Sequence, residues 1–317
     1  MTAPAGRPPR AAESLLRLIA HVTRQYGLGD PIAWTVLTTG YEDCNIDLRA
    51  GRARVVVKVL AADRTGIARR TADLIIRAQA VGVRHPRLHR DAAGSVAHDY
   101  DGQQLIVMDF DPGRSLYDLR RPPDGTELAE IIAQAVRIHS IDARPEFVFD
   151  PWAITNLAPM VAQAGSLLDA AQRRLVDGAI EQAGQVDRQA LPAALIHADL
   201  TKGNILTGPA GVTILDFAVA NPLPRVQELA VIAANLAHGS PEPLPARIET
   251  IAAMYSAAAP VPLTPAEHQA LRAFGPAAAA MELLGAVAEW QRGNHSAETE
   301  YLISLGSAGL RDYLTAT

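Results

Sequence analysis

Four side chains in the stretch Leu195–Ala218 have the types and spacing to do chemistry together. His197, Asp199 and Asn204 stand in the order H-x-D-x-x-x-x-N, and Asp216 closes the apolar run Val212–Leu215. Both carboxylates and the amide fall at the ends of stretches that read as buried strands. A buried, unpaired carboxylate is strongly destabilising. A divalent cation and a reacting hydroxyl would remove that penalty. Asp216 and Asn204 offer oxygens of the kind that Mg²⁺ takes beside substrate phosphate oxygens. Asp199 is placed to accept a proton from an attacking hydroxyl. One Asp for the nucleophile, with an Asn and a second Asp for metal, is the division of labour of phosphoryl transfer. His197 reads as support for the loop. His139, in V-R-I-H-S, reads as a helix residue packed against that loop. Neither has a second His or Cys at ligand spacing, which argues against zinc.

The chain holds 29 Lys and Arg, and only Lys58 and Lys202 are lysines. A position that keeps lysine where arginine serves everywhere else points to a need for a compact ammonium. Lys202 lies inside the opening stretch. Lys58 lies mid-strand in V-V-V-K-V-L, where an ammonium must either snorkel to water or meet an anion. The expected anion is the α/β-phosphate pair of ATP. The turn containing Gly40 precedes that strand and could lie over phosphates. Leu105–Phe110 runs apolar and exits through Asp111-Pro112-Gly113. Met108, Asp109 and Phe110 are therefore candidates to hold an adenine, by backbone groups and ring packing.

These residues need elements to carry them. Helical spacing runs through Leu15, Leu16, Ile19, Val22 and Tyr26. Strands are expected at Ile32–Thr38, Cys44–Leu48 and Arg54–Leu60, then a helix from about Thr65 to Ala80. Short strands follow at Arg87–Arg90, Ser95–Asp99 and Gln104–Asp109. Beyond residue 113 the pattern is helical, with Glu127–Ser140, Ser166–Glu181 and Val226–Ala237, and three or four Ala/Leu-rich helices after Pro245. The fold class read from this is α+β. An antiparallel-sheet lobe spans residues 1–108, with a loose tail at 1–12; a connector follows at 109–113, and a helical lobe at 114–317. Ligand sites favour such junctions.

The 317 residues carry a net charge of −5 and 49% hydrophobic content, with no Lys/Arg run. That argues for a globular chain and against a nucleic-acid surface. The single cysteine, Cys44, suits a reducing compartment, the cytoplasm. The N-terminus lacks the apolar core of a signal peptide, and no membrane partner is expected.

The motifs H-A-D-L-T-K-G-N-I-L, I-L-D-F-A, R-V-V-V-K-V and V-M-D-F-D-P-G together resemble the aminoglycoside phosphotransferase/choline kinase superfamily of protein-kinase-like small-molecule kinases. The likeness runs over most of the chain from about residue 13. G-Y-E-D-C-N-I and the run from Asp216 to Leu236 are similar to the homoserine kinase branch in particular. The resemblance implies a bilobal kinase-like fold, ATP and Mg²⁺ as cofactors, and a small-molecule hydroxyl as acceptor. It implies that Lys202 helps to neutralise γ-phosphate charge. It also implies a helix Glu as partner of Lys58, which this chain lacks. In I-A-R-R-T-A-D-L-I-I-R the only acid is Asp73, and Thr71 stands in the usual slot; either Asp73 reaches Lys58 with a shorter arm or the ion pair is absent. Where the family has D-L-A, this chain has Glu228-Leu229-Ala230, a change expected to keep a structural contact.

Three functions compete at this stage. The first is a small-molecule kinase, with Trp152, Glu228, Glu282, Glu289 and Trp290 as candidate acceptor residues. The second is a catalytically weak nucleotide-binding relative acting as a sensor. The third, a metal phosphoesterase, lacks the further ligands it would need.

Overall fold

The structure, a computed structural model, describes residues 12–37, 43–60 and 66–315. Two compact units emerge. The first takes residues up to Ala80, Arg84–Gly113 and the short return Leu215–Ala218; the second takes Val81–Val83, Arg114–Ile214 and Val219 onward.

The first unit opens with helix α1 (Ala12–Gln25), followed by strands β1 (Pro31–Leu37), β2 (Cys44–Ala50) and β3 (Ala53–Val59). Helix α2 (Ile67–Ala80) and strands β4 (Ala97–Tyr100) and β5 (Gln103–Asp109) complete it. The strands form one antiparallel sheet in the order β1-β2-β3-β5-β4. Period-two alternation decides which side chain goes where. Val55, Val57 and Val59 point to one face and pack with Leu18, Ile19 and Val22 of α1. Leu60, Ile106 and Met108 form the other core with Ala68 and Ala72 of α2. Lys58 shares that second face by alternation. The strand expected at Arg87–Arg90 is reduced to a single bridge, Leu88 to Met108.

The second unit begins with the short strand β6 (Arg114–Ser115) and helix α3 (Gly125–His139), whose Asp124 and Glu127 form a complete capping box. Helices α4 (Leu157–Ala164) and α5 (Ala170–Gly184) precede strands β7 (Ala193–Ile196), β8 (Ile205–Gly208), β9 (Gly211–Ile214) and β10 (Asn221–Pro224). β10 pairs with β7, a strand pairing that the reading of this half did not anticipate. β8 and β9 form a hairpin to which β6 adds. The helix expected over Val226–Ala237 is α6 (Arg225–Val231) followed by a π-helical turn at Ile232–Leu236. Helices α7 (Leu244–Ala258), α8 (Pro265–Gln291) and α9 (Ala297–Thr315) finish the chain.

α8 is the spine of this unit. It is long and apolar enough to cross a membrane, yet 83% of its most apolar window is buried inside the protein, as in a core helix. Its small residues allow close packing. A Cβ on Gly306 of α9 would sit 2.5 Å from the Leu283 backbone nitrogen, and one on Gly285 would sit 2.4 Å from the Trp152 ring.

Candidate active site

In the first unit the chemistry gathers on Lys58, which is 5% exposed. Its Nζ lies 2.6 Å from Asp216 Oδ2 and 3.2 Å from Asp43 Oδ2. Burial pulls the ammonium's pKa down, but Asp216 and then Asp43 outweigh it, and the net direction is up. Asp216 has φ +61°, a strained value for a non-glycine residue. The turn around it is tied down. Asp216 Oδ1 accepts from the Ala218 N–H at 3.2 Å, Arg70 donates to Ala218 O at 3.4 Å, and Phe217 is wholly buried with its ring edge-on to His85.

Asp73 is not a partner of Lys58. It stands on the outer side of α2, its side chain 59% exposed, paired with Arg77 one turn on at 2.7 Å. The residues that α2 turns inward are Ala68, Thr71, Ala72, Leu74, Ile75 and Ala78. A carboxylate one helical turn from an arginine on an open face has no reason to go inside. The adenine candidates have partners of their own within this unit. The N–H groups of Asp109 and Phe110 are committed to Arg87 O at 2.9 Å and Arg54 O at 3.0 Å. The Phe110 ring is capped by the Arg54 guanidinium, 3.4 Å from its centroid. The Asp109 carboxylate is held by Arg87 and His89, which keep it below the usual range against the upward push of burial. Met108 is 8% exposed and lies in the α2 core. Gly40 lies outside the described residues.

In the second unit the loop after β7 is built around a buried carboxyl. Glu228 of α6 is 0% exposed. Its Oε1 accepts from the His197 N–H at 3.2 Å and its Oε2 from the Ala198 N–H at 2.7 Å. Burial pushes the Glu228 pKa up to about 8, although both N–H donors pull it down. Ala198 has φ +72°, so the loop turns through a left-handed residue at the point Glu228 holds. Glu228 therefore serves the loop and is not free to meet an acceptor. His197, itself wholly buried, accepts the Asp199 N–H on Nδ1 at 3.2 Å. Asn204 donates through Nδ2 to Asp199 O at 3.0 Å and to Asp199 Oδ2 at 2.7 Å. The amide thus aims the carboxylate and leaves its own Oδ1 outside that pairing. His139 belongs elsewhere than expected. Its Nδ1 lies 2.8 Å from Tyr255 Oη on α7, and burial depresses its pKa to about 3.

Lys202 also departs from expectation. It is 4% exposed, and its ammonium donates to His238 O at 2.6 Å and Tyr301 Oη at 3.0 Å. Burial, then Arg247, lowers its pKa to about 8. An ammonium bound to the turn after the π-helical segment and to α9 acts as a strut for the loop. Its backbone N–H reaches Asn235 Oδ1 at 3.1 Å, and Asn235 Nδ2 donates to Glu282 Oε1 at 2.7 Å.

That chain of bonds leads to an acidic patch. Burial, with Asp150 and Glu298 adding to it against the Asn235 hydrogen bond, raises Glu282 to about 7. Burial and Asp118 raise Glu298. The rings of Tyr117 and Tyr301 meet edge-on beside these acids, 5.5 Å between centroids. Among the described residues no Lys or Arg forms an ion pair with Asp118, Glu282 or Glu298. Trp152 packs over Gly285, and Glu289 is bonded to Arg292. Trp290 instead lines a cavity of about 450 Å³ with Leu167, Val287, Gln291, Glu300 and Ile303. Sequence reasoning missed Asp43, Asn235, Asp118, Asp150, Glu298 and Tyr301. Only Asp43 had a readable signal, in the register of the β2–β3 hairpin.

A profile of the phosphotransferase enzyme family matches residues 33–274. No curated protein sequence matches the chain. Among solved structures, a spectinomycin phosphotransferase in complex with ADP and spectinomycin superposes with a TM-score of 0.70 at 13% identity, covering 97% of this chain and 98% of that one. An amicoumacin kinase in complex with AMP-PNP, Ca²⁺ and Ami gives 0.69 at 14% identity, covering 97% and 98%. A microcompartment-associated aminopropanol kinase gives 0.67 at 18% identity, covering 95% and 98%. These likenesses establish a shared α+β fold.

Proposed function

We propose, from the premise that this chain belongs to the phosphotransferase enzyme family, that it moves the γ-phosphoryl group of ATP to a hydroxyl of a small cationic molecule. The observation that carries the reading is the Asp199–Asn204 pair, a carboxylate aimed by an amide on a loop locked from behind by Glu228. Asp199 orients the acceptor hydroxyl and takes its proton as the bond to phosphorus forms. Lys58 holds the α- and β-phosphates through its ammonium. Lys202 keeps the loop in place from inside the second unit.

The residues present fit a hard divalent cation. Both nitrogen-bound hydrogens of Asn204 are turned to Asp199, which leaves the amide oxygen for a metal, and the Asp216 side chain is 35% exposed. Among the described residues no three His, Cys, Asp or Glu side chains form a self-sufficient metal site. Each side chain by itself offers an oxygen of the kind Mg²⁺ takes, the remaining ligands coming from phosphate oxygens and water. Bound there, Mg²⁺ would offset the charge on the phosphate oxygens.

The acidic patch supports a cationic acceptor, an amino alcohol or an amino-substituted sugar or antibiotic. Asp118, Glu282 and Glu298, which form no ion pair with a Lys or Arg among the described residues, suit ammonium groups, which relieve the mutual repulsion of the acids. An acceptor bearing a carboxylate, such as homoserine, would need an Arg at that place. The sensor reading drew on the missing helix Glu. The pairing of Lys58 with Asp43 and Asp216 removes that reason for it. The lone Cys44 suits the cytoplasm proposed from the sequence.

The test is ADP release with ATP and Mg²⁺ across a panel of amino alcohols, aminocyclitol antibiotics, neutral sugars and homoserine. Turnover should appear with cationic hydroxyl compounds and fall at least about a hundredfold in Asp199→Ala. Nucleotide binding without turnover on any acceptor, or full activity in Asp199→Ala, would overturn the reading.

A further inference from the structure

A buried ammonium needs a lasting counter-charge. Lys58 is 5% exposed, and Asp216 gives it one carboxylate at 2.6 Å. Asp216 is also the carboxylate that the proposed function commits to a metal. Once its charge is shared with a divalent cation, less of it is left for Lys58. Asp43 remains, 3.2 Å from the ammonium, with its side chain only 6% exposed.

The placement of Asp43 follows from strand geometry. β2 and β3 pair in the register Asn45↔Lys58 and Cys44↔Val59. Side chains two residues apart on a strand share a face. Asp43 therefore lies on the Lys58 face, as the diagonal neighbour of Lys58 beyond Asn45. Diagonal neighbours are within reach of a long side chain. Helix α2 packs over this same face but brings no carboxylate to it, since Asp73 is turned outward to Arg77.

We propose that Asp43 is the positioning residue for Lys58. It holds the ammonium from within the sheet, doing the work expected of a carboxylate on α2, and keeps it neutralised when Asp216 turns to the metal. The inference rests on the phosphotransferase reading. It makes the grip on the α/β-phosphates a property of the β2–β3 hairpin, independent of where α2 lies.

The experiment compares the full chain with Asp43→Asn, Asp43→Glu and Asp73→Asn. Binding of ADP, and of ATP with and without Mg²⁺, is measured by titration calorimetry, alongside kcat and KM. Asp43→Asn should weaken nucleotide binding about tenfold, as expected for one charge-assisted hydrogen bond. It should raise the KM for ATP while the KM for the acceptor stays put. Asp43→Glu should recover most of the loss, and Asp73→Asn should show none. Nucleotide affinity within twofold of wild type in Asp43→Asn, or the same loss in Asp73→Asn, would overturn the proposal. If Asp43→Asn does not fold, the pair Lys58→Met with Asp43→Asn decides. Recovery of the fold supports the pairing, because the stranded charge is gone, and failure to recover overturns it. A wild-type chain that binds no nucleotide overturns the phosphotransferase reading itself, and this inference with it.

Discussion

Glu228 offers the sharpest test of how the loop is built. The carboxyl is 0% exposed, and each oxygen takes one backbone N–H, from His197 and Ala198. Glu228→Gln keeps the shape but replaces one acceptor by an NH₂ group that faces a donor. One buried N–H is then unsatisfied, at a cost of about 1–3 kcal/mol. Ala198, at φ +72°, loses a bond that holds it in the left-handed region, itself about 1–2 kcal/mol uphill for an L-residue. The expected loss is therefore up to about 2–5 kcal/mol near pH 5, where the wild-type carboxyl is neutral. The pH dependence supplies a second check. The folded-state pKa, about 8, lies above the ordinary value of 4.5. Between these limits the unfolded chain gives up the proton and the folded chain keeps it, so stability falls as pH rises. At ~1.4 kcal/mol per pH unit the whole window is worth on the order of 5 kcal/mol. The assay is urea unfolding followed by tryptophan fluorescence, wild type against Glu228→Gln, from pH 4.5 to 8. The stability difference should be largest at the acid end and shrink toward pH 8. A difference that stays constant across the window, or is absent at pH 5, would refute the claim that a neutral buried carboxyl pins this loop.

Two further outcomes follow from the same site. Lys202→Met should change the KM for ATP by less than about threefold, whereas Lys58→Met should raise it more than about tenfold, because a phosphate contact is worth a charge-assisted bond. Steady-state kinetics separates the two lysines. Because burial depresses Lys202 to about 8, wild-type stability should rise from pH 8 toward 10.5, where the unfolded chain still holds the proton, and Lys202→Met should lack that rise in thermal melts. Glu282→Gln should raise the KM for a cationic acceptor and leave that for ATP unchanged. Since Glu282 titrates at about 7, the wild-type acceptor KM should fall as pH rises through that value, and the variant's should not.

The candidate loop was largely legible as a local pattern. H-A-D-L-T-K-G-N is local, and its charged groups at strand ends name a chemistry before any contact is known. The sheet of the first unit was legible for a similar reason. β-branched runs with turn residues between them state their own period, and β3 alternates between the α1 and α2 cores as its pattern implies. Asp73 and Lys202 show where that legibility ends. As the only acid on its helix, Asp73 was a candidate partner for Lys58, the alternative being no ion pair from that helix; rotation about the helix axis put it on the Arg77 side. Lys202 was expected at phosphate because it follows Asp199 by three. In the fold, a carbonyl at His238 and a hydroxyl at Tyr301 were closer partners.

The division has a physical cause. Backbone period and the order of residues within one loop act over a few residues, and the sequence by itself determined them: the α+β fold class and the Asp199–Asn204 spacing. Which charge meets which is settled by close approach between residues far apart in the chain. Coulomb attraction and desolvation change steeply over a few ångströms. Only the tertiary structure could decide that Lys58 is held by Asp43 and Asp216, that Glu228 carries the loop, and that Glu282 and Glu298 come together with no ion pair to a Lys or Arg among the described residues.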